Sequence, residues 1–236
     1  MKTQIFNYND NNYTYTYDEN DTSGTGCLME IGVNNEYKLD KYMGLTGKFL
    51  LDIGGNCGVV TMILAKQNPF STIITIEPYS KCYEIIKTNI KNNKLDNVIL
   101  LNRGIGKDDK DLILNIYDEM SGGCSTSVTR LDLFKKSKPT HVAKCMQEKV
   151  KSVTLDEIIN TYKIDSVHLL KIDCEGAEYD SLYNSKYLKQ GYIKNICGEF
   201  HNLSYNKTNK KHYNYKDLLR YCDKYIQGTK NITIPL

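Results

Sequence analysis

The sequence has no tryptophan, no Cys-x-x-Cys pair, no cluster of basic residues and no apolar run long enough to span a bilayer. Each absence removes a class of protein. Its eight cysteines are scattered and lack histidines at zinc-ligand spacing, which excludes a zinc ribbon or finger. Several cysteines sit inside apolar strand patterns, where Cys behaves as a small hydrophobe, so reduced thiols and a cytoplasmic protein are expected. No segment has the charged, apolar and small-residue succession of a secretory signal, and no membrane association is expected. The formal charge is +3, and its lysines are dispersed among acids, so bulk charge gives no support for a nucleic-acid partner. The abundance of Asn, Lys, Ile and Tyr reads as coding bias.

What is present fits one α/β domain. Hydrophobic residues make up 40% of the 236 positions and charged residues 25%, ordinary values for a globular chain. Phe49 to Ile53 is a short apolar run, long enough for a buried parallel strand and too short for a helix. It breaks into Gly54-Gly55-Asn56-Cys57-Gly58 and resumes with Val59, Met62, Ile63 and Ala65 at helical spacing. A strand, a glycine turn and a helix in succession bring backbone N–H groups and a helix N-terminus against a ligand. The spacing is Asp-x-Gly-x-x-x-Gly from Asp52, not the dinucleotide pattern Gly-x-Gly-x-x-Gly. A carboxylate before the turn would repel a pyrophosphate and suits a ligand with a cationic centre, such as S-adenosylmethionine.

Thr72 to Ile76 is a second β-branched strand ending in Glu77-Pro78. An acid at the end of the second strand is where nucleotide-binding α/β folds grip ribose hydroxyls. Ser80 to Asn92 reads as a helix, and Asn97 to Asn102 as a third strand. The turn Arg103-Gly104-Ile105-Gly106 is small enough for an adenine ring to lie against the backbone. Asp111 to Tyr117 alternates as a strand. The stretch from Asp118 to Gln147 is long and irregular, with Gly122-Gly123 inside it, and is expected to be a lid over substrate.

Glu148 to Val153 is extended, and Thr154-Leu155-Asp156-Glu157 is a capping box for a helix through Tyr162. Val167 to Ile172 is another buried strand, delivering Asp173-Cys174-Glu175-Gly176-Ala177-Glu178 at its carboxyl end. Three acids in six positions after Lys171 make a poor core and a plausible site. Tyr192 to Phe200 is the next expected strand, leading into Glu199-Phe200-His201; a helix over Lys216 to Tyr225 and a short strand over Asn231 to Ile234 follow. The order βαβαβ, inserted strands, then βαβα predicts a doubly wound, mostly parallel sheet, with residues 1–47 as a β-rich N-terminal extension and 48–236 as the main domain.

The pairing of Asp52-Ile53-Gly54-Gly55-Asn56-Cys57-Gly58 with Lys171-Ile172-Asp173-Cys174-Glu175-Gly176-Ala177-Glu178 resembles the FkbM family of S-adenosylmethionine-dependent methyltransferases. Glu77-Pro78, Asn102 to Gly106 and Val153 to Asp156 fall in the family's order. The resemblance implies the Rossmann-like class I methyltransferase fold, with cofactor contacts at Asp52, Gly54, Asn56, Gly58 and Glu77. Gly104 is the further candidate at the adenine. It implies O-methylation of a hydroxyl on a sugar, glycan or related small molecule, with reaction-site residues among Lys171, Asp173, Glu175 and His201. His201 is the expected general base, since an unperturbed imidazole titrates near neutrality. Asp173 could orient it, take the proton itself, or join Glu199 in holding a divalent cation; the metal-free alternative is preferred. Lys171 is as well suited to neutralising the acids as to catalysis. Downstream of His201 only one strand is evident where class I folds carry a hairpin, so either the 111–117 and 148–153 strands complete the sheet or its edge is trimmed.

The rival readings are weaker. Enzymes that methylate planar amines carry an Asn/Asp-Pro-Pro-aromatic segment where Asp173-Cys174-Glu175-Gly176 stands. A nicotinamide oxidoreductase lacks its glycine fingerprint here, and a non-catalytic binding module would not need acids at several strand ends.

Overall fold

A computed structural model of the chain describes residues 1–117, 120–126, 145–203 and 214–234. It opens with an antiparallel hairpin, β1 (Lys2–Tyr8) and β2 (Asn11–Tyr17). A short helix α1 (Thr22–Cys27) then runs straight into a turn of π-helix (Leu28–Val33). Residues Thr22–Cys27 are helical although they include Gly24 and Gly26. Asp21 caps α1 by accepting from the Ser23 N–H, and Gly24 packs against Tyr15 and Tyr17, so tertiary contact overrides the weak helix propensity of two glycines.

The main domain follows the expected alternation. It runs β3 (Thr46–Ile53), α2 (Val59–Gln67), β4 (Phe70–Ile76), α3 (Ser80–Asn92) and β5 (Val98–Leu101). Then come β6 (Gly104–Ile105), β7 (Leu112–Tyr117), β8 (Met120–Ser125), β9 (Met146–Val150) and β10 (Ser152–Val153). The chain continues through α4 (Leu155–Thr161), β11 (Val167–Ile172), α5 (Glu178–Asn184) and α6 (Lys186–Lys189). It closes with β12 (Ile196–Glu199), α7 (Tyr215–Asp223) and β13 (Lys230–Thr233). The Thr154 capping box forms as read, with Thr154 Oγ1 and Glu157 each taking the other's N–H. The strand expected from Tyr192 is shorter: regular pairing begins at Ile196, preceded by a single bridge between Val167 and Ile193.

Six strands form one wholly parallel sheet in the order β13-β12-β11-β3-β4-β5. The 111–117 and 148–153 segments do not complete it. β7 sits between β8 and β9 in a separate antiparallel sheet, and β10 pairs only with β6. The edge after β12 is thus trimmed to the single strand β13. Of the expected lid, 120–126 is the strand β8 with the residue after it; 118–119 and 127–144 lie outside the described residues.

Period-two alternation sends the strands' side chains to two cores. Leu50, Ile73 and Leu169 pack toward α2, α3 and the N-terminal hairpin, while Leu51, Ile53, Ile74, Leu170 and Ile172 pack toward α4, α5 and α7. The hairpin belongs to the first core: Phe6, Tyr13, Tyr15 and Tyr17 are all buried, with Tyr13 stacked on Phe6 and Tyr15 on Tyr17. These tyrosines are core residues.

Asn89 on α3 fastens this hairpin. It is fully buried; its amide donates to the carbonyls of Thr16 and Cys57, and its oxygen accepts from the Thr16 N–H at 2.7 Å. Replacing Asn89 by Ala leaves those backbone groups buried without partners, a penalty of about 1–3 kcal/mol for each group left unsatisfied. Asn89→Ala should therefore lower the urea midpoint and speed hydrogen exchange in 2–17 more than in β3 or β11; uniform exchange across both regions would show that the hairpin is held by its aromatic packing alone.

Candidate active site

The parallel strands β3, β4 and β11 all end on one rim, where α/β sheets bind ligands. A cleft with about 870 Å³ of empty space, its open mouth included, lies there. Gly54, Asn56, Glu77, Gly104, Lys171, Asp173 and Glu175 all reach its wall.

The floor is built by the glycine turn. Gly54 has φ +80°, and a Cβ there would fall 1.8 Å from the Asp173 carbonyl oxygen, so only glycine lets the two strand ends approach. Its N–H and that of Gly55 donate to the Ile76 carbonyl. Asn56 is left-handed (φ +49°), and this turns its N–H onto Glu77 Oε2 at 2.8 Å. The other Glu77 oxygen accepts from the Tyr79 N–H at 2.8 Å. Asn102 clamps the same corner by donating to the Glu77 and Pro78 carbonyls. Burial pushes the Glu77 carboxyl up to about 7, against the two N–H donors that favour its charge. A carboxylate has roughly four lone-pair sites, so two remain for a ligand's hydroxyls.

Asp52 and Gly58 stand behind this wall, not on it. Gly58 caps the N-terminus of α2. Asp52 is fully buried: one oxygen accepts from Thr61 Oγ1 at 2.7 Å, and the other lies 3.3 Å from Lys171 Nζ. The β3–β11 register sets Asp52 directly beside Lys171. Lys171 also donates to the Gly54 carbonyl at 2.6 Å. Burial alone would lower the lysine's pKa, but Asp52 and Asp173 outweigh it and hold the ammonium protonated. A permanently charged, buried lysine is a cross-link between the glycine turn and β11, not a proton carrier.

His201 departs furthest from expectation. It is 1% exposed and surrounded by carboxylates. Its Nδ1 lies 3.0 Å from Glu178 Oε1, and its Nε2 lies 3.4 Å from Glu175, 3.7 Å from Glu199 and 3.9 Å from Asp173. Burial would lower its pKa, but Glu178 and Glu175 outweigh that and raise it well above the ordinary imidazole value. Glu178 is correspondingly lowered, against its own burial, by His201. Four carboxylates around the ring favour its protonated form, so these surroundings suit His201 as a charge partner better than as the expected general base.

The proton acceptors available are the carboxylates. Asp173 is partly exposed, and burial raises its pKa above the ordinary carboxylate value; Lys171 and His201 oppose that rise and Glu175 adds to it. Glu199, behind it, is pushed up to about 7 by burial and by Asp173. Asp173, Glu199 and His201 each offer one atom, all within 4.8 Å of one another, and this trio could hold a divalent ion. Cys27, Glu30, Ile31 and Tyr37 of the N-terminal extension also line the cleft. Sequence reading missed them because no local pattern links them to strand ends far along the chain.

The Methyltransferase FkbM domain family matches residues 52–225. Among curated proteins, Methyltransferase 1 of Beauveria bassiana (strain ARSEF 2860) is 32% identical over 144 residues, 57% of this chain and 57% of that protein. Methyltransferase sdnD of Sordaria araneosa is 24% identical over 152 residues, 57% of this chain and 59% of that one. The chain thus spans somewhat more than half the length of the curated relatives it matches. Among solved structures, an rRNA methylase from Streptococcus thermophilus aligns over 86% of this chain and 69% of its own, with 9% identity and a TM-score of 0.38.

Because Lys171 and Asp52 neutralise each other inside the sheet, their removal should be non-additive. Lys171→Met leaves a buried carboxylate without its cation, a loss of about 3–5 kcal/mol, whereas Lys171→Met/Asp52→Asn removes both charges and should recover much of it. Chemical denaturation of the two variants checks this; a double variant as unstable as the single one would mean that Lys171 acts through the carbonyls of the glycine turn instead.

Proposed function

As the chain belongs to the FkbM family of methyltransferases, we propose that it transfers a methyl group from S-adenosylmethionine to a hydroxyl of a sugar, glycan or related small molecule. The observation that carries the reading is the division of the cleft. At one end is a buried carboxylate with spare lone pairs, Glu77, suited to a diol; at the other is an anionic rim, Asp173 and Glu175, suited to a sulfonium and to an alcohol's proton. Ile53, Ile105 and Leu114 add apolar surface to the same lining, which suits a purine. The residues present therefore fit the cofactor.

When bound, S-adenosylmethionine supplies the electrophilic methyl, and the protein's part is mostly alignment. Glu77 holds the ribose hydroxyls, while the Gly54 turn brings β3 against Asp173 so that both ends of the cleft keep a fixed separation. An alcohol is a weak nucleophile. As the acceptor oxygen would bond to the methyl and the sulfonium C–S bond would break to leave a neutral thioether, the hydroxyl's proton would pass to the Asp173 carboxylate, in place of His201. Glu175 and Glu199 keep the surroundings negative, and the buried Glu178–His201 pair fixes the loop that carries Asp173. The absence of an Asn/Asp-Pro-Pro-aromatic segment at the end of β11 supports a hydroxyl over a planar amine. A second reading has Asp173, Glu199 and His201 hold a divalent cation that polarises the acceptor's hydroxyl, His201 giving up its Nε2 proton to the solvent as it ligates; their mutual approach within 4.8 Å favours it.

Cofactor affinity should depend on pH through Glu77. The unliganded carboxyl sits at about 7. Hydroxyl donors stabilise its charged form, so the bound pKa is lower and binding releases a proton. Affinity is then full above pH 7 and falls as pH drops through it, by up to about tenfold per unit. Titration calorimetry from pH 5.5 to 8.5 should show this slope in the parent and lose it in Glu77→Gln; a slope unchanged in that variant would take Glu77 out of the ribose site.

Label transfer from methyl-tritiated cofactor to a panel of glycosides, phenols and amines tests the acceptor class. Counts should appear in the hydroxyl compounds, and Asp173→Asn should reduce them by roughly 10²–10⁴-fold. Label confined to amines would overturn the hydroxyl reading. Activity should persist in chelator; loss in chelator with recovery on Mn²⁺ or Mg²⁺ would select the cation reading.

A further inference from the structure

Tyr37 lies outside the family-matched region, in the N-terminal extension, yet its side chain is buried in the cleft wall. Its hydroxyl donates to Asp173 Oδ2 at 3.0 Å across 136 positions of sequence. Its ring lies over the buried ammonium of Lys171, with Nζ 5.9 Å from the ring centroid. Two elements from opposite parts of the chain therefore meet at Asp173, and the contact is made on one oxygen only.

The rest of the extension fixes Tyr37 in place. Asn35 accepts from the Tyr8 hydroxyl at 2.6 Å and from the Leu39 N–H at 2.8 Å, tying the segment to the hairpin. The Glu36 N–H donates to the Glu30 carbonyl, and Asn231 beside β12 donates to the Glu36 carbonyl at 2.7 Å. The backbone of 35–37 is thus anchored on the hairpin, on the π-helical turn and on the edge strand of the main sheet. With these anchors and only 4% of its surface exposed, Tyr37 has a fixed place in the cleft wall.

We infer that Tyr37 is a positioning residue for Asp173, holding Oδ2 so that the carboxylate keeps one orientation at the cleft wall, and that the N-terminal extension is a working part of the site. The inference rests on the reading of Asp173 as the proton acceptor. Burial and the charges of Asp173 and Glu199 hold the phenol protonated, so Tyr37 acts as a donor and not as a base. A phenol donating to Oδ2 fixes the orientation of the carboxylate, and an Asp173 deprived of it is free to turn. The other groups facing Asp173 are Lys171 from β11, Cys174 and Glu175 from its own loop, and Glu199 and His201 from the end of β12. Cys27 and Glu30 face it from the extension. None of these is altered when a single phenolic oxygen is removed.

The test is Tyr37→Phe, which keeps the ring over Lys171. In protein carrying ¹³C-carboxyl aspartate, with the Asp173 resonance identified by its loss in Asp173→Asn, that resonance should move at one fixed pH in Tyr37→Phe. This readout needs neither acceptor nor turnover. With the best hydroxyl acceptor from the tritium panel, kcat should fall about tenfold while the acceptor's KM and the cofactor affinity stay within twofold. An unmoved resonance, or an unchanged kcat in an enzyme that labels hydroxyl compounds, would overturn the inference. A moved resonance with no label in any hydroxyl compound would leave the contact standing and sink the functional reading instead. To guard against simple loosening of the segment, Asn231→Ala disturbs the Glu36 anchor while keeping the phenol. It should move the resonance less than Tyr37→Phe does, and an equal or larger change would make backbone anchoring, not the phenol, the cause.

Discussion

The buried pair of Asp52 and Lys171 is the constraint on which the rest of the site depends. Two opposite charges occupy neighbouring positions on the two central strands, in a layer otherwise closed by Leu50, Ile73 and Leu169. Such a pair is costly to desolvate and contributes little net stability compared with an apolar replacement. Its value is positional. Lys171 reaches across to the Gly54 carbonyl, and Thr61 from α2 donates to Asp52 and shares a hydrogen bond with Thr75 on β4. Three strands, one helix and the glycine turn are thereby locked at the end where the cleft opens.

From that lock the polar architecture spreads outward in two directions. Toward β4 it becomes the Glu77 corner, where Asn56, Tyr79 and Asn102 fix a carboxylate with lone pairs to spare. Toward β12 it becomes a crowded anionic rim, in which Asp173, Glu175 and Glu199 share one buried imidazolium. The upward displacement of Glu77, Asp173 and Glu199 has a common origin: charge held out of water with too few partners in the protein alone. Perturbed carboxylates gathered in a cleft mark a functional site more than a structural one. Glu178 is the exception that proves structural, since His201 and two N–H groups satisfy it and its pKa falls.

The N-terminal extension changes how this domain is to be regarded. Its aromatic hairpin is part of the core beneath α3, and its following turns deliver Cys27, Glu30, Ile31 and Tyr37 to the cleft. The family-matched region supplies the strand ends and their acids; the extension closes one wall over them.

Much of this was written in the sequence. The apolar runs at 49–53, 72–76 and 167–172 are strands because β-branched and aliphatic side chains fit a sheet buried on both faces, and the acids and glycines after them mark the rim. Glu77, Gly54, Asn56, Gly104, Asp173 and Glu175 were legible as cleft residues on that ground alone. What the sequence left open concerns neighbours across space. Asp52 follows the same local pattern as a ligand-facing acid, and only strand register sets it beside Lys171 and out of the cleft. His201 reads as a base until four carboxylates from different segments converge on its ring. Tyr37 carries no local signal at all. Local pattern is governed by backbone propensity and hydrophobic period, which are short-range. A side chain's charge state and partner are governed by burial and electrostatics among residues that only the folded chain brings together.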